Sequence, residues 1–145
     1  AKLAARQATQ ERLAFSALFM DRWGSQYHED FVLLEQCGLL HPHAVVVADN
    51  VLWTGSALFL WHVLKQGSYQ TQIVCVEELA TQSADFMSIS VRHSTAASTS
   101  SQPALEPSPD FLRLHLEAEE MRVRIFGAGR SITSEERAKF VVKMQ

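Results

Sequence analysis

Three oxygen-bearing side chains stand where apolar runs stop. "VVVADN" (45–50) passes from three valines and Ala48 straight into Asp49 and Asn50, and "FSALFM" (15–20) ends at Asp21. A carboxylate beside an amide at a strand end supports two chemistries. Asp and Asn bond their own backbone and tolerate the left-handed region, so the pair can simply make a turn. Hard oxygen donors at the mouth of a site can instead hold a hard cation. The residues alone leave both open. His41, His43 and His62 have no partner at metal spacing and read as helix-end or surface residues, while Cys37 and Cys75 read as small buried hydrophobes.

The elements that must position these groups follow from apolar runs and their terminators. Residues 2–13 are good helix formers without Gly or Pro. "FSALFM" and "AVVVA" (44–48) have the length and composition of buried strands. "EDFVLLEQCGLL" (29–40) spaces Val32, Leu33, Gln36 and Cys37 as one helix face, with Gly38 as terminator, and "SALFLWHVLKQG" (56–67) is a second helix closed by Gly67. "YQTQIVCVEE" (69–78) and "DFMSISVRH" (85–93) follow as strands with little between them, the latter alternating as a half-exposed strand does. Strand, helix, strand, helix, strand is a parallel α/β pattern, and the last two strands make an antiparallel hairpin at its edge. Right-handed crossovers put the loops after both parallel strands on one rim, where open α/β sheets bind ligands. Asp21 and Asp49 should therefore meet there.

Beyond Ser94 the character changes. Residues 94–110 are rich in Ser, Thr, Ala and Pro, as a linker or surface loop would be. "FLRLHLEAEEMRVRIF" (111–126) mixes strand-like alternation with helix formers, and "GAG" (127–129) breaks the chain. Thr133 with Glu136 three residues on predicts a capping box and a terminal helix. Domain boundaries at 1–93, 94–110 and 111–145 follow. The 145 residues suit one ordinary core, and 47% hydrophobic with 20% charged residues is a globular balance. A net charge of -3 without a dense basic run argues against nucleic-acid binding. No apolar run reaches the length of a membrane span. A start at "AKLAARQATQ" suggests a processed or truncated chain, a processed organellar protein among the options, and leaves the compartment open.

Taken together, "LFMDRW", "YHEDFVLLEQCGLL" and "VVVADNVLWTG" resemble the catechol O-methyltransferase family, over about half the chain to roughly Asp85. The resemblance implies the C-terminal half of a class I S-adenosylmethionine-dependent methyltransferase sheet, ending in an antiparallel hairpin. It implies that Asp21, Asp49 and Asn50 hold magnesium, and that Asp21 and Trp23 border the cofactor. It also implies that Asn50 and a carboxylate near Glu77 or Glu78 face the catechol. Two carboxylates and an amide suit an octahedral ion that keeps waters and leaves room for two substrate hydroxyls.

Two departures from the family pattern matter. The family's general-base lysine follows the tryptophan, and here that position is Gly24; the residue before the tryptophan is Arg22 rather than histidine. A general base contributes about 10²–10⁴-fold. His28 is the nearest substitute along the sequence, and Lys65 lies on a distant helix. The other departure is the cofactor half. The glycine-rich turn that grips S-adenosylmethionine precedes the region this chain resembles, and "GAGR" (127–130) is weak as a substitute. S-adenosylmethionine is expected only if that half is supplied. The expectation is a degenerate, non-catalytic structural or accessory subunit, with protein partners over the first strand's free edge and the C-terminal extension. The alternative is the C-terminal half of an active magnesium-dependent enzyme.

Overall fold

The computed structural model describes residues 13–53, 55–78, 83–94, 105–129 and 131–145. The helix expected over 2–13 and most of the 94–110 linker lie outside them. Element order is β1 (Phe15–Met20), a 3-10 turn (Gly24–Gln26), α1 (Tyr27–Gln36), β2 (Leu40–Ala48), α2 (Ala57–Lys65), β3 (Tyr69–Glu78), β4 (Ser83–Arg92), α3 (Pro109–Ala128) and α4 (Ser134–Met144). The sheet order is β1-β2-β4-β3. β1 and β2 are parallel, with Met20 level with Ala48, and β4 runs antiparallel to both β2 and β3. The fold is α/β, a parallel pair joined to a terminal antiparallel hairpin, as the order of apolar runs implied, and it is followed by a helical extension.

The terminators act as expected. Gly38 and Gly67 adopt positive φ just past α1 and α2. Thr133 and Glu136 form a reciprocal capping box on α4. β2 begins earlier than the valine run, at Leu40. Pro42 and a left-handed His43 are absorbed by a register shift opposite Phe15 and Ala17.

One face of the sheet carries the core. Ala44, Val46 and Ala48 are buried beneath Tyr27 and Phe31 of α1 and Phe59, Leu60 and Val63 of α2. Here several expectations are corrected. β1 was expected to be buried, yet it is exposed along most of its length, with Phe19 59% accessible. Among the described residues it lies at the sheet edge, paired on one side with β2. β4 alternates, but with its polarity reversed. Ser88 and Ser90 are fully buried on the helix side, whereas Met87, Ile89 and Val91 are only half-covered on the other. Small side chains let the helix layer approach closely. Both cysteines are exposed rather than buried, since Cys37 caps α1 at its open end and Cys75 lies on the outer strand β3.

The ambiguous run 111–126 is helical. Pro109 sits at the first turn, Ala118 and Met121 are buried with Leu114 packed beside them, and this 4-and-3 spacing is a helix face. The break falls at Gly129, the left-handed cap, and Gly127 lies inside the helix. α3 and α4 share a small core of Ala118, Met121 and Phe140. That core closes on Gly55, where a Cβ would stand 2.2 Å from the Cβ of Ala118 and 3.0 Å from Cζ of Phe140. Gly55 also has φ +74, so both space and backbone call for glycine.

Candidate functional site at the strand-end rim

The rim after β1 and β2 is organised by a residue that the strand-end pattern does not single out. The Tyr27 hydroxyl accepts from the Arg22 backbone N–H at 3.1 Å and lies 3.1 Å from the carbonyl oxygens of both Met20 and Asp49. One phenol thus ties the last residue of β1 to the first residue after β2, beside the Asp49 N–H bond to Met20 O at 2.9 Å. Burial pushes the Tyr27 pKa up to about 12; the Arg22 N–H opposes this, while Asp21, Asp49 and Asp85 add to it. Tyr27 stays protonated at neutral pH and acts as a donor, not a base.

Asp21 is exposed at the end of β1, and Asp49 and Asn50 are half-buried. Asp49 Oδ1 accepts the Asn50 N–H at 2.8 Å, and Asn50 has φ +51, so the turn chemistry of this pair is realised. The Asn50 amide nitrogen donates to Asp85, a residue sequence reasoning had placed only within strand alternation. Asp85 is 4% exposed and also accepts from the Phe86 N–H at 2.7 Å. Its signal was available: a carboxylate heading the strand read from the sequence, next to Phe86, calls for a partner when buried.

The C-terminal helices meet this rim. Arg137 of α4 brings Nη2 to 4.0 Å from Asp85 Oδ2, and its guanidinium carbon stands 4.3 Å over the Trp53 ring. Trp23 lies edge-on to Trp53, centroids 6.2 Å apart, and to Phe126 of α3 at 5.5 Å. Gly24 and Ser25 are buried in the 3-10 turn, and the Ser25 hydroxyl donates to Glu119 of α3. Arg122 holds that carboxylate from the other side, at 2.7 and 3.1 Å, and keeps its pKa below the ordinary range against the effect of burial.

Of the residues singled out beforehand, the fold brings Asp21, Asp49, Asn50 and Trp23 to one rim. Glu78 ends β3, and its backbone lies two residues, roughly 7 Å along the strand, beyond Val76, which pairs with Asp85. Lys65 is exposed, as expected. His62 is not a surface residue; it is buried with Nε2 2.8 Å from Glu35. His28 packs against His62 and Trp61. Among the described residues, no group of three or more His, Cys, Asp or Glu side chains is placed to hold a metal. Asp49 Oδ1 is engaged by the Asn50 N–H, and the Asn50 amide nitrogen by Asp85.

Comparison with known proteins bears on this arrangement. The chain is 43% identical over 53 residues to catechol O-methyltransferase of Sus scrofa, a stretch that is 37% of this chain and 28% of that protein. It is 46% identical over 46 residues to the Bos taurus protein, 32% of this chain and 17% of that one. Part of this chain is a catechol O-methyltransferase-like region. The similarity is partial, and the chain spans less than a third of the length of the curated relatives it matches. No family model matches the chain. An O-methyltransferase from Bacillus cereus, solved with SAH, aligns at TM-score 0.46 and 15% identity, over 63% of this chain and 47% of that one. TomG of Streptomyces achromogenes, solved with SAM, aligns at TM-score 0.46 and 17% identity, over 63% and 46%. No helix among the described residues is long and apolar enough to cross a membrane.

Proposed function

We propose that this chain is a degenerate catechol O-methyltransferase-like domain serving as a non-catalytic structural or accessory subunit. One observation carries the reading: the chain's own C-terminal helices pack on the rim where the family's metal and cofactor residues would work. Phe126 sits on Trp23, and Arg137 covers Trp53 and reaches toward Asp85. Gly24, at the position of the family's base, is buried in the turn that α3 covers and supplies no proton acceptor. Protein partners would use the exposed edge of β1 and the half-covered apolar face of Phe19, Val47 and Ile89, where an unpaired strand and uncovered side chains both invite docking.

A second reading is favoured by the oxygen donors at the rim. In it the chain is the C-terminal half of a magnesium- and S-adenosylmethionine-dependent catechol-type O-methyltransferase, whose cofactor-binding half lies on another chain or in a longer form of this one. Asp21, Asp49 and Asn50 would hold the ion, Asp21 and Trp23 would border the cofactor, and Asn50 and Glu78 would face the substrate. Magnesium, when bound, would acidify a catechol hydroxyl. The chain's own contribution would be positional, with Tyr27 fixing the two strand ends and Asp85 orienting the Asn50 amide. Equilibrium dialysis of labelled S-adenosylmethionine against chain 1–145, with and without magnesium, tests the non-catalytic reading. Half a pocket does not enclose a ligand that pockets commonly bury by roughly 70–90%, so no retention is expected. Micromolar retention would overturn the non-catalytic reading.

A further inference from the structure

A stripe of exposed side chains runs along the outward side of α3. Leu112, Leu116 and Val123 recur at spacings of four and seven residues, with Glu119 and Phe126 completing the row. At about 3.6 residues per turn these positions share one narrow sector of the helix, turned away from the buried Ala118 and Met121. Leu116 is 63% accessible, and Phe126, although its ring edge meets Trp23, is 70% accessible. Such a row is the seam of a coiled coil, with Leu116 and Val123 at a, and Leu112, Glu119 and Phe126 at d. One flank of the seam is charged. Arg113 and Glu120, seven residues apart, take its two e positions, and both are exposed.

We propose that this stripe is a self-association surface, on which α3 of a second copy of the chain packs antiparallel about a two-fold axis. Charge selects both the occupant and its direction. In an antiparallel pair the e positions face each other, so Arg113 of each copy meets Glu120 of the other, twice by symmetry. A parallel pair would forgo both ion pairs and set the two Glu119 carboxylates at one level in the seam. The antiparallel pair sets Leu116 beside Glu119, whose carboxylate is already drawn aside by Ser25 and Arg122. On the other flank His115 faces Arg122 of the second copy, a charge that Glu119 already offsets. The bond from Arg113 to Asp110 is exposed and therefore weak, so Arg113 is available to a new partner. Two heptads would not hold an isolated coiled coil, but α3 is already fixed to α4 through Ala118, Met121 and Phe140, and its helix need not form on association. The seam and its flanks supply far fewer than the roughly 20–30 residues a side of a standard interface. The dimer should therefore be weak, with Kd on the order of tens of micromolar. The pairing does not depend on whether the rim is catalytic.

The test is sedimentation equilibrium of the whole chain from about 5 to 500 µM, with variants at three exposed positions whose change leaves the core intact. Wild type should follow a monomer–dimer equilibrium, and Leu116→Glu should stay monomeric throughout. Arg113→Glu and Glu120→Lys should each weaken dimerisation by about fivefold or more. Their equimolar mixture should associate more tightly than either variant alone, because only the mixed antiparallel pair regains both ion pairs. Both variants stay net negative, so attraction between net charges does not explain such a gain. A wild-type chain that is monomeric at the highest concentration would overturn the proposal and leave the stripe to an unlike partner. Dimerisation that survives Leu116→Glu would overturn it as well and move the contact to the edge of β1. A mixture no tighter than its components would do the same for the antiparallel pairing.

Discussion

The strand-end rim and the histidine cluster both gather polar side chains from distant parts of the chain, but they treat them differently. At the rim, the Tyr27 hydroxyl, the Asn50 amide and the Asp85 carboxylate all have hydrogen-bond partners, and Arg137 lies beside them. In the cluster, the Glu35 carboxylate pairs with His62, and the Nδ1 atoms of His28 and His62 are buried with no hydrogen-bond partner among the described residues. The rim should therefore be rigid and weakly dependent on pH near neutrality, whereas the cluster should respond to it. α3 touches the rim through Phe126 and Glu119.

The comparison breaks most severely if the helical cover cannot seat. Gly55→Ala drives a Cβ into Ala118 and strains a positive φ, so it should cost about 3 kcal/mol in urea denaturation. Gly67→Ala, at φ +70 with open space around it, should show only the backbone part, about 1 kcal/mol. Equal losses would mean that the α3–α4 core does not press on Gly55. Asp85→Ala removes the acceptor for the Asn50 amide and the Phe86 N–H, and about 2–3 kcal/mol should be lost. Tyr27→Phe keeps the ring in the core and deletes the tie between strand ends, for about 1–2 kcal/mol.

Acid sharpens the contrast. His28 and Glu35 both have pKa values below their ordinary ones, Glu35 because the bonds from His62 and Tyr69 outweigh the burial that opposes them. Their stabilisation should fade in sequence, the His28 part as pH falls below about 6.5 and the Glu35 part below about 4.5. Thermal melts of wild type and His28→Gln should converge at low pH, and parallel curves would remove the first step. The smallest effect belongs to α4's start. Thr133→Ala loses a capping box and should cost about 1 kcal/mol without altering either cluster.

Much of the sheet was legible because apolar runs, Gly terminators and Pro42 act locally. Asp21, Asp49 and Asn50 were legible because crossover handedness alone sends them to one rim. The partners of Asp85 and Arg137 were not, since they lie far away in sequence, Asn50 for Asp85 and Trp53 for Arg137. The same reason hid His62, whose partner Glu35 lies on another helix. Burial of β1 and of the cysteines was misjudged because apolar neighbours in sequence do not say which edge or face is left open. Leu112, Leu114 and Leu116 suggested a strand, but the buried set Leu114, Ala118 and Met121 decides for a helix.

The claim that the C-terminal extension closes the rim is tested most directly by a double-mutant cycle across Arg137 and Trp53, with Arg137→Ala, Trp53→Leu and the pair together. The 4.3 Å approach of the guanidinium to the ring should appear as a coupling of about 0.5–1 kcal/mol. Additive losses, with no coupling, would mean that α4 does not rest on the rim and would contradict the account.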